Sequence, residues 1–406
     1  RLEYALAYGQ YLEGEVEAAE RNLRGLLDRL ALPGDVDAKA GLLAGRICLA
    51  EGRPEEALAF FRGVIQRHKG SEGEATALIG QAEALADLKR VEGARKAYED
   101  AKAVLRDLPA SSRASESSLV ASVGAVANRL AEAGELDEAL GFATLELSFL
   151  DEGDDQAVNQ TLGRIAAWHR KLADQLMDRL PKVPSEEVTR QMCAEMMRHY
   201  EEAGNAFLRL SESHSLQDRD SANALWQAIQ CYQRAGRTSR AGEMLERFTR
   251  DWGHDVHMPE ALLELGHAYQ SRGSLDRAIE VYQQLIREYE RALPAKDALV
   301  PLARCYINKG PEFFPQAEKI LVGMMDDERF EPAATQFRDA LFLLGKLHYL
   351  RNEFDKTVAT LEEALERYPT DRGGPEAKFI MAQAYRKLAV RAREQSEQTS
   401  DRTLRS

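Results

Sequence analysis

The side chains best suited to chemistry cluster in one short stretch, DWGHDVH, where Asp251, His254, Asp255 and His257 stand within seven residues. Imidazole and carboxylate groups are the donors that hold zinc and other first-row cations. A metal needs ligands fixed by a rigid element, and this stretch lies between two apolar-periodic segments with no periodicity of its own. It is expected to be an exposed loop without a ligand. Cys48, Cys193, Cys231 and Cys305 are far apart, with no C-x-x-C pair and no histidine at zinc-site spacing, so they read as small core residues. The phosphate-binding G-x-x-x-x-G-K-[ST] loop, G-x-G-x-x-G, H-E-x-x-H and the G-x-S-x-G nucleophile elbow are missing. The N-Q-T triplet at Asn159 is a lone glycosylation match of the kind chance produces. No catalytic residue, cofactor or metal is assigned, and the chain reads as a non-enzyme.

Without a motif to position, the elements themselves carry the information. The chain has 406 residues, 30% of them charged and 7% aromatic, with abundant Ala, Leu, Glu and Arg that favour helix. A phrase recurs: GEVEAAE from Gly14, GRPEEAL from Gly52, GELDEAL from Gly134, GRTSRAG from Gly236, GSLDRAI from Gly273 and NEFDKTV from Asn352. Around Gly273, Leu262, Leu265, Gly266 and Tyr269 precede and Ala278, Tyr282 and Leu285 follow at helical spacing. That is two amphipathic helices joined by a turn. Glycine or asparagine enters the left-handed turn conformation cheaply. Ser274 or Asp276 is expected to cap the second helix, while Gly266 and Ala278 let the backbones approach around Tyr269 and Tyr282.

The pattern resembles the tetratricopeptide repeat, with W-x-x-L-G-x-x-Y in the first helix and A-x-x-x-F in the second. Matching groups include Ala44, Gly45, Gly52, Ala57 and Phe61; Leu78, Ala82, Leu85, Ala94 and Tyr98; and Leu341, Leu344, Gly345, Asn352, Leu361, Ala364 and Pro369. The resemblance implies an all-α, right-handed superhelical solenoid of antiparallel helix hairpins. Copies recur mostly at 37 to 38 residues, against about 34 in the standard repeat. This longer form resembles the repeats of envelope-assembly and Tol-Pal-associated coordinator proteins of Gram-negative bacteria, which favours the periplasmic side of the cell envelope over the cytoplasm.

The interval between Gly134 and Gly236 is 102 residues, too long for one repeat. Two overlong helices, at 157–180 and 186–213, are expected there, with Pro181 and Pro184 at their turn. The second carries Met192, Met196 and Met197, a pliable surface suited to docking or to packing on neighbouring repeats. Residues 1–155 then form an N-terminal arm of about four hairpins, 156–215 the elongated hairpin, and 216–375 a C-terminal arm of about four hairpins. A capping helix is expected over 376–391 and a polar tail over 392–406. Pro301 is expected to kink or shorten its helix, and GPEFFPQA after Gly310 lengthens the next turn, which makes this hairpin irregular and a candidate site.

First helices of such an array line a concave face, which the family uses for binding. In the C-terminal arm, the groove residues expected off the packing stripe are Trp226, Leu263, His267, Arg304, Ile307, Phe342, Lys346, Tyr349, Phe379, Gln383 and Arg386. Aromatic groups among cations on an acidic chain suit a peptide or protein segment with apolar anchors and carboxylates. The net charge of −13 excludes unaided nucleic-acid binding, and no apolar run is long enough for membrane insertion. The leading expectation is a protein-interaction scaffold. The alternatives are a structural component that self-associates through an open N-terminal end, and an accessory part of a larger enzyme or membrane-anchored protein. The chain starts inside a repeat at Arg1 without an initiator methionine and is expected to be cut from something longer.

Overall fold

The computed structural model describes residues 1–28, 34–109, 113–151, 153–180, 185–213, 218–327, 331 and 334–404, without the side chains of 113, 114, 218 and 397–404. Pro181 and Pro184 lie outside the described residues. The described residues form helices and turns and no strand. Contacts divide the chain into two units, the first ending at Ala235 and the second starting at Gly236.

The first unit holds α1 (Leu2–Leu12), α2 (Val16–Leu27), α3 (Gly34–Ala50), α4 (Pro54–Arg67), α5 (Glu72–Asp87), α6 (Val91–Arg106), α7 (Arg113–Glu132), α8 (Leu136–Phe149), α9 (Asp155–Arg179), α10 (Glu186–Ser211) and α11 (Asp218–Arg234). The second holds α12 (Thr238–Asp251), α13 (Met258–Ser271), α14 (Leu275–Glu288), α15 (Leu293–Asp297), α16 (Leu299–Lys309), α17 (Phe314–Asp326), α18 (Thr335–Leu350), α19 (Phe354–Arg367) and α20 (Gly374–Leu404). Successive helices pack pairwise in both units, so each is an all-α stack of hairpins.

The recurring phrase is a turn with one hydrogen-bond scheme. At the α13–α14 turn the Gly273 N–H donates to Gln270 O (3.0 Å) and the Ser274 N–H donates to Tyr269 O (2.9 Å). This is the helix-ending motif that needs a left-handed residue, and Gly273 has φ +75°. The same pair of bonds recurs at Asn352, where asparagine takes φ +61°, and at Lys89, where lysine takes φ +57°. The α5–α6 turn is thus built without glycine. The expected side-chain cap is corrected here: Ser274 makes no capping hydrogen bond. Its carbonyl accepts from the Ala278 N–H (3.0 Å), and the backbone turn already uses its own N–H.

Small residues set the spacing within hairpins and between neighbouring ones. A Cβ on Gly266 would stand 2.6 Å from Tyr282 Cδ1, and one on Gly80 would stand 2.6 Å from Phe61 Cε1. Tyr282 and Phe61 are almost wholly buried. The core of the first unit includes one continuous cluster from Cys48 to Ala206. In the second unit the clusters built on α13–α16 and on α16–α18 are separate and share only half-buried Tyr306 and Ile320.

Helices α9 and α10 have 25 and 26 residues. Among the described residues between Ala173 and His199 none is buried; Met192 and Met196 are half-buried and Met197 is exposed. His169 and His199 meet across this hairpin, Nδ1 to Nδ1 at 2.8 Å. Burial and the partner imidazole push His169 down to about 4, and burial lowers His199 as well.

Pro301 acts as its chemistry requires. It cannot donate to the carbonyl of Asp297, and the helix breaks there into α15 and α16, rejoined by the bond from the Leu302 N–H to Ala298 O (2.9 Å). Gly310, at φ +142° and ψ 171°, leads into a single 3-10 turn at Pro311–Phe313 before α17. That backbone region is essentially open to glycine alone. The last helix starts at Gly374 and runs on to Leu404, through the stretch expected as a polar tail. Residues 392–404 contain no Gly or Pro and are rich in helix-forming Arg, Glu and Gln.

Candidate functional site

The open surface of the second unit is built by α13, α16, α18 and α20. A groove of about 900 Å³ is lined by Arg304, Ile307 and Asn308 of α16, Arg338 to Lys346 of α18, the Tyr368–Gly373 loop, and Glu376, Ala377 and Ile380 of α20. A smaller cleft of about 400 Å³ continues it towards His267 and Gln270 of α13 and shares Arg304 and Asp339. The floor is apolar: Ile307, Leu343 and Ile380 are buried and Phe342 is half-buried. Phe342 lies 6.4 Å from the Tyr368 ring.

The groove's charge departs from that of the chain. Arg304, Arg338, Lys346, Arg367 and Arg372 face Asp339, Asp371 and Glu376, an excess of cations in a chain of net charge −13. Three of the cations are occupied. Arg338 holds Asp339 Oδ1 (3.0 Å) and Asp371 Oδ2 (3.1 Å), and Lys346 pairs with Glu376 (2.8 Å). Arg367 pairs with Glu363 (2.7 Å) and lies over Phe337. Asp371 also accepts from the Gly373 N–H (2.7 Å), which fixes the loop. Arg304 and Arg372 are exposed, and neither has a hydrogen bond or ion pair among the described residues.

The residues expected in the groove divide. Arg304, Ile307, Phe342 and Lys346 line it, and His267 lines the adjoining cleft. Leu263 packs on the α13–α16 core, and Tyr349 packs on Phe354 with ring centres 5.8 Å apart. Trp226, in the first unit, is only 7% exposed. Phe379 and Arg386 are exposed on α20 outside the groove lining, and half-buried Gln383 is outside it too. Arg338, Asp371 and Arg372 were not anticipated. Asp371 and Arg372 sit in a connecting loop, outside the helical spacing that identified the others, and the only sequence signal for them is the charged pair DR before GG.

Family models of the tetratricopeptide repeat match residues 4–72, 228–292, 263–310 and 339–371. Those spans coincide with hairpins whose turns and small–large contacts are described above. Over these spans the chain is built of tetratricopeptide repeats. Both models describe the repeat itself rather than any envelope-assembly protein. No curated protein sequence matches the chain. Among solved structures it is similar to the Cut9–Hcn1 hetero-tetramer of the APC/C, at 14% identity over 94% of this chain and 89% of that one, with a TM-score of 0.37. It is also similar to YrrB, titled a TPR protein with an unusual peptide-binding site, at 16% identity over 52% and 91% of the two chains (TM-score 0.35). BtubC from P. vanneervenii is similar at 13% identity over 54% and 92% (TM-score 0.37).

Several other chemically capable groups are already engaged. In DWGHDVH, Asp251 pairs with Arg250 (3.0 Å), and Asp255 accepts from the His257 N–H (2.8 Å) within the turn that starts α13. Two clusters bring acids together with Cys48 and with His348, namely Glu20–Cys48–Glu56 and Glu318–His348–Glu353. Arginines hold them: Arg53 and Arg24 lower the Glu20 carboxyl against the opposing pull of burial, and Arg351 contacts Glu318 and Glu353. Burial pushes the Cys231 and Cys305 thiols up to about 11, which keeps them protonated. The Asn159 amide donates to Ser213 Oγ (2.8 Å) from within α9. None of the described helices is long and apolar enough to cross a membrane. The repeat is a protein-interaction fold and generally a non-catalytic one.

Proposed function

We propose that the second unit holds a partner protein by a carboxylate-bearing segment laid along its groove, with apolar side chains of that segment against Ile307, Phe342 and Ile380. The observation that carries this reading is the pair Arg304 and Arg372, exposed guanidiniums without an ion-pair partner among the described residues, beside an apolar floor in an acidic chain. A guanidinium offers a planar fork that matches a carboxylate, and such contacts set register and speed encounter. Lys346 and Arg338, already neutralised, shape the walls. The protein acts as a scaffold and performs no chemistry on its partner. Selection of random 12-residue peptides against the full chain tests this. Enriched sequences should combine Asp or Glu with Leu, Ile or Phe; enrichment of peptides lacking carboxylates contradicts it.

A second reading, pairing of two copies through α1, is favoured by Leu2, Leu6 and Leu12, exposed at 88%, 58% and 66%. Light-scattering mass that rises with concentration, and stays single in L2E/L6E, supports it. A concentration-independent monomer removes it.

A further inference from the structure

The irregular hairpin opens a second surface, separate from the groove just described. Between α14 and α17, the second helices of neighbouring hairpins, lies a slot of about 690 Å³ floored by α16. Its floor and walls are apolar: Ile286, Leu299, Tyr306 and Ile320 are half-buried, and Leu302 and Met324 are buried beneath them. The slot stands where two neighbouring core clusters of this unit fail to merge, since Tyr306 and Ile320 pack against both. The helix break at Pro301 starts α16 at half-buried Leu299, and the 3-10 turn after Gly310 leads into α17.

The walls are held in place before any ligand arrives. The Gln283 amide donates to the Tyr306 hydroxyl (2.7 Å), and Tyr306 stacks on Phe313 with centres 6.2 Å apart and planes at 21°. Lys309 lies 4.2 Å from the Phe313 ring centre. At the rim, Arg287 and Lys319 are exposed, and neither has an ion pair or hydrogen bond among the described residues. Asp327 supplies the one carboxylate of the lining and is engaged elsewhere. Two free cations over an apolar floor, on a chain of net charge −13, complement one kind of surface.

We infer that this slot is a docking site for an acidic amphipathic helix of a partner protein. The helix would lie between α14 and α17, its apolar side chains on Tyr306, Ile320 and Leu299 and its Asp or Glu side chains against Arg287 and Lys319. A trough between two helices fits a third helix better than an extended strand, and a helix presents anchors at i, i+3 or i+4, and i+7 along such a trough. α14 is 14 residues long, or about 21 Å at 1.5 Å per residue, so a helix of about four turns spans it. The site does not depend on the groove reading, because the two linings share no residue.

A display library of helix-constrained 16-residue peptides, selected against the full chain, tests the inference. Enriched peptides are retested by fluorescence anisotropy on the wild type, on R287E/K319E and on R304E/R372E. All four positions are exposed, so both variants keep the fold, which far-UV circular dichroism checks. The expected result is an enriched class of amphipathic helices bearing Asp or Glu. Binding should weaken about tenfold or more in R287E/K319E and change less than about twofold in R304E/R372E. Hydrogen exchange should slow in α14 and α17 when the peptide is bound. The inference is overturned if no enriched peptide loses affinity in R287E/K319E, if the sensitive peptides are basic, or if protection falls on α18 and α20 instead. The last outcome would leave the groove reading standing and remove only the slot.

Discussion

Replacing Gly266 by Ala tests the packing logic of the repeat at its tightest point. The new Cβ would stand 2.6 Å from Cδ1 and 2.7 Å from Cζ of Tyr282. Carbon contacts relax only at about 3.5 Å, so the ring must retreat by roughly 1 Å. It has little freedom to do so, because Tyr282 is 0% exposed and its hydroxyl donates to the Gln270 side chain (3.1 Å). Overpacking of this kind costs about 1–3 kcal/mol, while Ala gains about 1 kcal/mol over Gly in a helix interior. We expect a net loss of up to about 2 kcal/mol, confined to α13 and α14. Gly323→Ala in α17 is the control, since nothing lies within 4 Å of its Cβ position; it should stabilise its helix by about 1 kcal/mol. Repeat arrays open in parts, so the measurement is the exchange free energy of the slowest amides in each hairpin. Equal or greater protection of α13 and α14 in Gly266→Ala would refute the reasoning.

Other expectations follow from single observations. Lys89→Gly relieves a left-handed lysine worth about 1–2 kcal/mol and gives up only a solvent-screened surface ion pair with Glu135; amide exchange in α5 and α6 should slow. The His169–His199 contact predicts acid weakening of the α9–α10 hairpin. Both imidazoles have lowered folded pKa values, with Arg198 at 3.0 Å from His199 Nε2 opposing a proton and Glu195 and Asp137 favouring one. The unfolded chain therefore binds more protons between about pH 6.5 and about pH 4. Stability is full above that window and falls through it with a slope of up to about 1.4 kcal/mol per pH unit for each imidazole. His169→Gln should flatten the slope measured by exchange at α9 and α10.

Much of the fold was legible because hairpin packing repeats the same constraint. Leu262, Leu265, Gly266, Ala278, Tyr282 and Leu285 are all buried where the spacing around Gly273 put them. The α5–α6 turn was harder to see, since Lys89 carries no turn signature; the flanking Leu78, Ala82, Leu85, Ala94 and Tyr98 were its trace. The Pro301 break was readable from covalent structure alone. The groove was less legible for a physical reason. A first helix in a stacked array touches its own hairpin and the next one, so an apolar residue off the main stripe, such as Leu263 or Tyr349, packs sideways instead of facing a ligand. The charged residues fared better, since Arg304 and Lys346 do line the groove, while Arg386 is exposed outside it. Arg372 lies in a loop, where no periodicity points.

The account turns on whether Arg304 and Arg372 receive carboxylates. The direct measurement is the dissociation constant of a groove-selected acidic peptide for the wild type and for R304E/R372E, each at two salt concentrations. The account predicts a loss of at least about tenfold in the double variant and a salt dependence that is steep in the wild type and shallow in the variant. Unchanged affinity and unchanged salt dependence would contradict it.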